Sequence, residues 1–123
     1  ANKTGAGSGF TSSQSNWLKG LLNHLVDALK GSKPSRKCHE FSIGTRKEYR
    51  VATASERAEF HEAINLLKAD MLPGPLGTTN KYDTLVSFHH GSVALGAHGG
   101  AAFLPWHRIY LIMIEIALKQ KRS

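Results

Sequence analysis

The sequence predicts a mainly α protein, a helical bundle of about four helices. Apolar residues recur at helical spacing in four separate stretches, capping residues and helix breakers bound those stretches, and no alternating apolar and polar run is long enough for a sheet. At 123 residues the chain suits one domain with a real core. Residues 1–12, rich in Gly, Ser and Thr, read as a flexible N-terminal arm, and 13–123 as the helical domain.

The first helix is predicted from Trp17, Leu18, Leu21, Leu22, Leu25, Val26 and Leu29, with Ser13 or Ser15 as its cap and Gly31 at its end. Ser32 to Arg50 carries Pro34, Gly44 and many charges, and reads as an irregular connection. Thr53-Ala54-Ser55-Glu56 fits a capping box for a second helix, whose apolar stripe is Phe60, Ile64 and Leu67. The helix must stop before Pro73, because the two prolines and two glycines of "LPGPLGTT" forbid its continuation; that segment reads as a loop. A third helix starts near Lys81, with Tyr82, Leu85, Val86 and His89 on one face, and ends at Gly91. The fourth begins near Pro105 and is apolar on nearly all sides through Leu118, the pattern of a helix buried at the centre of a bundle.

Charge and targeting signals exclude more than they assign. The formal charge is +7, but Lys and Arg are dispersed and no aromatic-interleaved basic stripe appears, which argues against nucleic acid. The apolar run from Ile109 to Leu118 is interrupted by Glu115 and is too short to span a bilayer, so no membrane partner is expected. Asn2-Lys3-Thr4 fits the N-glycosylation sequon and makes Asn2 a glycosylation candidate, consistent with an extracellular or secretory setting. Cys38 is the single cysteine and can form no disulfide within the chain.

The seven histidines carry the chemical signal. His24, His39 and His61 lie in polar or charged surroundings and read as exposed. His89 and His90 end the third helix, His98 lies in a glycine-rich connector, and His107 falls in the first turn of the fourth helix. Helix end, connector and helix start can converge, and the glycines between residues 91 and 100 leave His98 free to turn inward. Three neutral imidazoles with no cysteine or aspartate beside them suit copper or zinc, and residue type alone does not choose between them. Each histidine taken singly is more often a hydrogen-bonded core residue than a ligand; taken together, they favour a site.

"YDTLVSFHH" followed by "AHGGAAFLPWHRIYLIMIEIAL" resembles the copper-A half of the tyrosinase family, which includes catechol oxidases and molluscan haemocyanins. "RKEYRVATASERAEFHEAINLLK" resembles the helix preceding that site, so the likeness covers roughly residues 46–118. The resemblance implies His89, His98 and His107 as ligands of one copper ion, with His89 selected over His90 by the Tyr-Asp-x-x-Val-x-x-His pattern. It implies a type 3 centre, in which a second copper is held by a copper-B half, and oxidation of phenols or catechols to ortho-quinones with dioxygen, or oxygen carriage. His90, Phe103, Trp106, Arg108 and Glu115 are expected around the ligands: Phe103 packing against the site, Trp106 bracing the fourth helix, and Arg108 and Glu115 in structural ion pairing.

The sequence departs from the family in two respects. Gly96 stands two residues before His98, so the cysteine–histidine thioether of some members is not expected. No His-x-x-x-His helix follows the fourth helix, so the copper-B half is absent from these residues. Two readings follow: the copper-A portion of a longer oxidase, whose second half lies elsewhere in the protein, on a second chain or on a second copy; or a stand-alone mono-copper, structural or copper-handling protein.

Overall fold

The computed structural model describes residues 9–31, 45–91 and 95–122. Asn2, Cys38, His39 and residues 32–44 of the irregular connection lie outside them, as does the side chain of Leu29. Among the described residues four α-helices form: α1, Ser12–Gly31; α2, Ala54–Ala69; α3, Lys81–Phe88; and α4, Phe103–Lys119. A two-stranded antiparallel hairpin, β1 (Met71–Gly74) and β2 (Gly77–Asn80), joins α2 to α3. The architecture is a mainly α bundle.

Helix α1 starts earlier than its predicted serine caps. Thr11 Oγ1 accepts from Gln14 N at 3.3 Å, and Gln14 Oε1 accepts from Thr11 N at 3.0 Å, a reciprocal capping box that displaces Ser13 and Ser15 from that role. Phe10, within the stretch read as an arm, packs on Phe88 with ring centroids 6.3 Å apart. At α2 the predicted box is present: Thr53 caps Glu56 N, and the Glu56 side chain accepts from Thr53 N. Hydrogen bonding by Lys47 and by the Thr53 N–H lowers the Glu56 carboxyl to about 2.

"LPGPLGTT" is a hairpin, not an irregular loop. Its pairing runs from Met71↔Asn80 to Gly74↔Gly77 around a Pro75-Leu76 tip, with Leu76 fully exposed. Proline is tolerated because a two-stranded sheet has only edge strands, where a missing N–H leaves no inner ladder broken. Gly77 adopts φ +124°, a conformation closed to side-chain-bearing residues, which accounts for one of the glycines. The N-cap Thr11 also hydrogen-bonds Pro73 O at 2.6 Å, fastening the hairpin to α1.

Leu18 and Leu21 of α1, Leu67 of α2, Leu85 of α3, and Met113 and Ala117 of α4 form the buried core. One polar pair lies inside: Gln14 Nε2 donates to Thr84 Oγ1 at 3.1 Å, and Thr84 Oγ1 donates to Asn80 O at 2.9 Å. The predicted stripes are only partly covered, since Val26, Phe60 and Val86 are exposed.

Helix α4 departs from expectation. Its buried face is narrow, whereas Leu104, Ile109 and Leu111 are 75%, 45% and 52% exposed. It therefore lies along one side of α1, α2 and α3 rather than at the centre of a bundle. With the 3₁₀ turn Gly100–Ala102 before it, the helical stretch Gly100–Lys119 spans 20 residues and is long and apolar enough to cross a membrane by length and composition alone. That is longer than the Ile109–Leu118 run suggested, although Arg108 and Glu115 interrupt it and one face closes the core.

Candidate metal centre

The C-terminus of α3, the connector to α4 and the first turns of α4 bring His89, His98 and His107 together. His89 is the C-cap of α3, where the chain leaves the helix before Gly91 at φ +63°. Buried Ala97 anchors the connector beside His98, and Gly100 at φ +71° turns the chain into the 3₁₀ turn that starts the fourth helix. His107 projects from the second turn of α4. Nε2 of His89 lies 2.9 Å from Nε2 of His107 and 3.1 Å from Nε2 of His98. One nitrogen from each histidine falls within 4.8 Å of the others.

The electrostatics favour a lone-pair donor over a cation at His89. Burial, followed by repulsion from His98 and His107, lowers the His89 pKa below its ordinary value, so its neutral form is favoured. At His107 the tautomer is set by the backbone: Nδ1 donates to Phe103 O at 2.7 Å, which leaves the Nε2 lone pair of the neutral ring facing the other two histidines. Such a bond from the outer nitrogen is the usual way a protein orients a ligating imidazole. Bonds of about 2.0–2.1 Å to a common ion separate histidine nitrogens by roughly 3–3.5 Å, close to the observed spacings. The donor set therefore fits a late first-row transition metal.

Aromatic rings enclose this cluster on the α3–α4 side. Phe103 packs against His107, centroids 4.3 Å apart, and lies 6.4 Å from His98. Trp106 stacks on Phe88 at 5.6 Å and contacts His89 and His107 at 5.6 and 5.0 Å. Tyr110, unremarked in the sequence, lies nearly parallel to His89 with centroids 5.1 Å apart, and its hydroxyl donates to Leu85 O at 2.8 Å. Burial, with Tyr82 adding to it, raises the Tyr110 pKa and keeps the phenol protonated. Its helical spacing from Trp106 and His107 was the available signal, since residues three and four apart share a face.

The other predicted residues stand apart. His90 and His24 are exposed, and His61 meets the Tyr49 hydroxyl through Nε2 at 3.0 Å. Glu115 is ion-paired, but its partners are Arg46 at 2.8 Å and Lys119 at 2.7 Å; Arg108 is exposed and makes no ion pair among the described residues. Seven positions on a helix place Arg108 and Glu115 on one face but about 10 Å apart along the axis, too far for direct contact, whereas Lys119 is one turn away. Glu115 itself is 36% exposed rather than buried.

The family model for the common central domain of tyrosinase matches residues 79–123, which include all three clustered histidines. A tyrosinase-like protein of Pinctada maxima is 35% identical over 114 residues, 93% of this chain and 24% of its own length. Tyrosinase-like protein 1 of Margaritifera margaritifera is 41% identical over 119 residues, 86% of this chain and 23% of its own. Tyrosinase ustQ of Aspergillus flavus is 37% identical over 102 residues, 80% of this chain and 26% of its own. The chain thus spans about a quarter of the length of these relatives. No solved structure gives a significant match. With its histidine cluster inside the matched segment and its likeness to these relatives running over most of its length, the chain belongs to the tyrosinase family.

Proposed function

We propose that His89, His98 and His107 hold one copper ion, and that the chain is the copper-A portion of a type 3 copper oxidase converting phenols or catechols to ortho-quinones with dioxygen. The observation that carries this reading is the convergence of three imidazole nitrogens, with the outer nitrogen of His107 tied to Phe103 O. Neutral nitrogen donors accept both cuprous and cupric ions, so bound copper supplies one-electron redox chemistry there. The protein's own contribution is orientation and shielding: Phe103, Trp106 and Tyr110 hold the rings of His107 and His89 in place and cover them on one side.

Oxidation by a two-copper centre requires a second set of histidines. Among the described residues the triad is the one group of three or more metal-ligating side chains, and on this reading the second set is supplied by a further part of the protein, a partner chain or a second copy. Leu104 and Leu111, seven residues apart on one exposed face of α4 and adjacent to the face carrying His107, are apolar surface that such a partner would cover. The same single triad favours a second reading, a stand-alone mono-copper or structural protein.

Copper titration with metal analysis tests the site. The chain should bind one copper, His98→Ala or His107→Ala should abolish binding, and His61→Ala should retain it. Equal loss from all three variants would refute the ligand assignment. Catechol oxidation separates the two readings: a natural protein that carries two coppers and oxidises catechol supports the oxidase, and one with a single copper and no oxidation supports the stand-alone protein.

A further inference from the structure

We propose that Tyr110 is a positioning residue for His89, capping the end of α3 with its hydroxyl and setting the plane of the imidazole with its ring. The inference rests on the copper reading of the triad, because positioning matters only if His89 must present Nε2 to an ion.

Helix α3 has eight residues, and its last carbonyls need partners from outside it. In a regular helix Leu85 O would accept from the N–H of His89, four residues on. Here the helix tightens at its end, and the His89 N–H goes to Val86 O at 3.0 Å. Leu85 is buried, so water is a poor substitute for the lost donor. The Tyr110 hydroxyl, 25 residues away in sequence, donates to that carbonyl at 2.8 Å.

The ring serves a second purpose. It lies 13° from parallel to the His89 imidazole, while Trp106 packs against both rings at 5.3 and 5.6 Å. Rotation of the imidazole would therefore have to displace two aromatic rings. Tyr110 is also three residues beyond His107, so one side chain couples the turn that carries His89 to the helix that carries His107. No other described hydrogen bond between α3 and α4 involves their backbones.

The test compares Tyr110→Phe, which removes only the hydroxyl, with Tyr110→Leu, which also removes the ring, and with Thr84→Val, which weakens the fold away from the triad. Cu(II) affinity is measured by chelator competition and the site by electron paramagnetic resonance, alongside the melting temperature of each variant. Supporting partners of metal ligands typically contribute about 10- to 100-fold in affinity. Tyr110→Phe should weaken Cu(II) binding about tenfold and change the Cu(II) spectrum, Tyr110→Leu should do more, and Thr84→Val should leave both unchanged despite its lower melting temperature. Wild-type affinity and spectrum in Tyr110→Phe overturn the proposal, as does an equal loss in Thr84→Val. Amide exchange of the metal-free protein keeps the two readings apart. Tyr110→Phe should accelerate exchange at His89 and His90, and unchanged exchange refutes the cap. A wild-type chain that binds no Cu(II) refutes the copper reading instead.

Discussion

Asp70 lies at the α2–β1 junction and binds two lysines at once, Lys81 at the start of α3 at 2.7 Å and Lys121 just beyond α4. Asp70→Asn keeps the shape and removes the charge that joins three helices. The side chains are 27% exposed for Asp70, 21% for Lys81 and 24% for Lys121, so these are not the freely solvated ion pairs that contribute about 0–1 kcal/mol. A hydrogen bond to a charged group contributes about 1.5–3 kcal/mol, and discounting for the exposure that remains puts the loss at about 2 kcal/mol. For a chain of this size that corresponds to a fall of roughly 6–10 °C in melting temperature. Burial acts to raise the Asp70 carboxyl, but the hydrogen bonds from Lys121 and Lys81 outweigh it, and its pKa lies below the ordinary value. A depressed carboxyl stabilises the fold fully above its unfolded pKa of about 4, and that contribution disappears as pH falls through the folded value. Thermal melts by circular dichroism should show a gap between wild type and Asp70→Asn near neutral pH that closes on acidification below about pH 4. Equal melting temperatures near neutrality, or a gap that persists in acid, would refute the clamp.

Two further substitutions probe the interior. Thr84→Val preserves shape but strands the buried Gln14 Nε2 without its acceptor; urea unfolding should show a loss of about 1–2 kcal/mol, and an unchanged midpoint would mean that the pair contributes nothing. Met113→Ala empties a fully buried site between α1, α2 and α3 and should cost about 2–5 kcal/mol in the same assay; a loss below about 1 kcal/mol would show that the neighbours collapse into the space.

Features set by neighbouring residues were legible in the sequence, and those set by distant ones were not. The capping box at Thr53 and the break near Gly91 are local chemistry. The box at Thr11 is equally local but was obscured by Ser13 and Ser15, good caps in their own right that the chain passes through as helix. The hairpin escaped because proline and glycine end a helix and also build a tight turn, and only the pairing of Met71 with Asn80 distinguishes the outcomes. Arg46 reaches Glu115 across 69 positions, a contact no spacing rule anticipates. That the histidines at the end of α3, in the connector and at the start of α4 can converge was legible from the glycines between residues 91 and 100, but the choice of His89 over His90 came from the resemblance to the tyrosinase family. The backbone acceptor of His107 and the ring against His89 emerge only when α3 lies beside α4.

Helix α4 shows why apolarity on all sides is an ambiguous signal. A buried central helix and a half-covered helix awaiting a partner carry the same composition, because both remove their apolar residues from water in the final assembly. What separates them is the geometry of the neighbours. The buried residues Met113 and Ala117, with Trp106 and Tyr110 on the same face, look toward α1, α2 and α3, whereas Leu104 and Leu111 share a face that these elements do not cover. Covering a leucine fully is worth about 1.5–3 kcal/mol, so a complement to that face would gain about 2–4 kcal/mol from these two partly exposed leucines. His107 sits between the covered and uncovered faces. An element packed on Leu104 and Leu111 would therefore lie beside the open side of the histidine cluster, where a second set of ligands has to stand if the proposed oxidase chemistry is to operate.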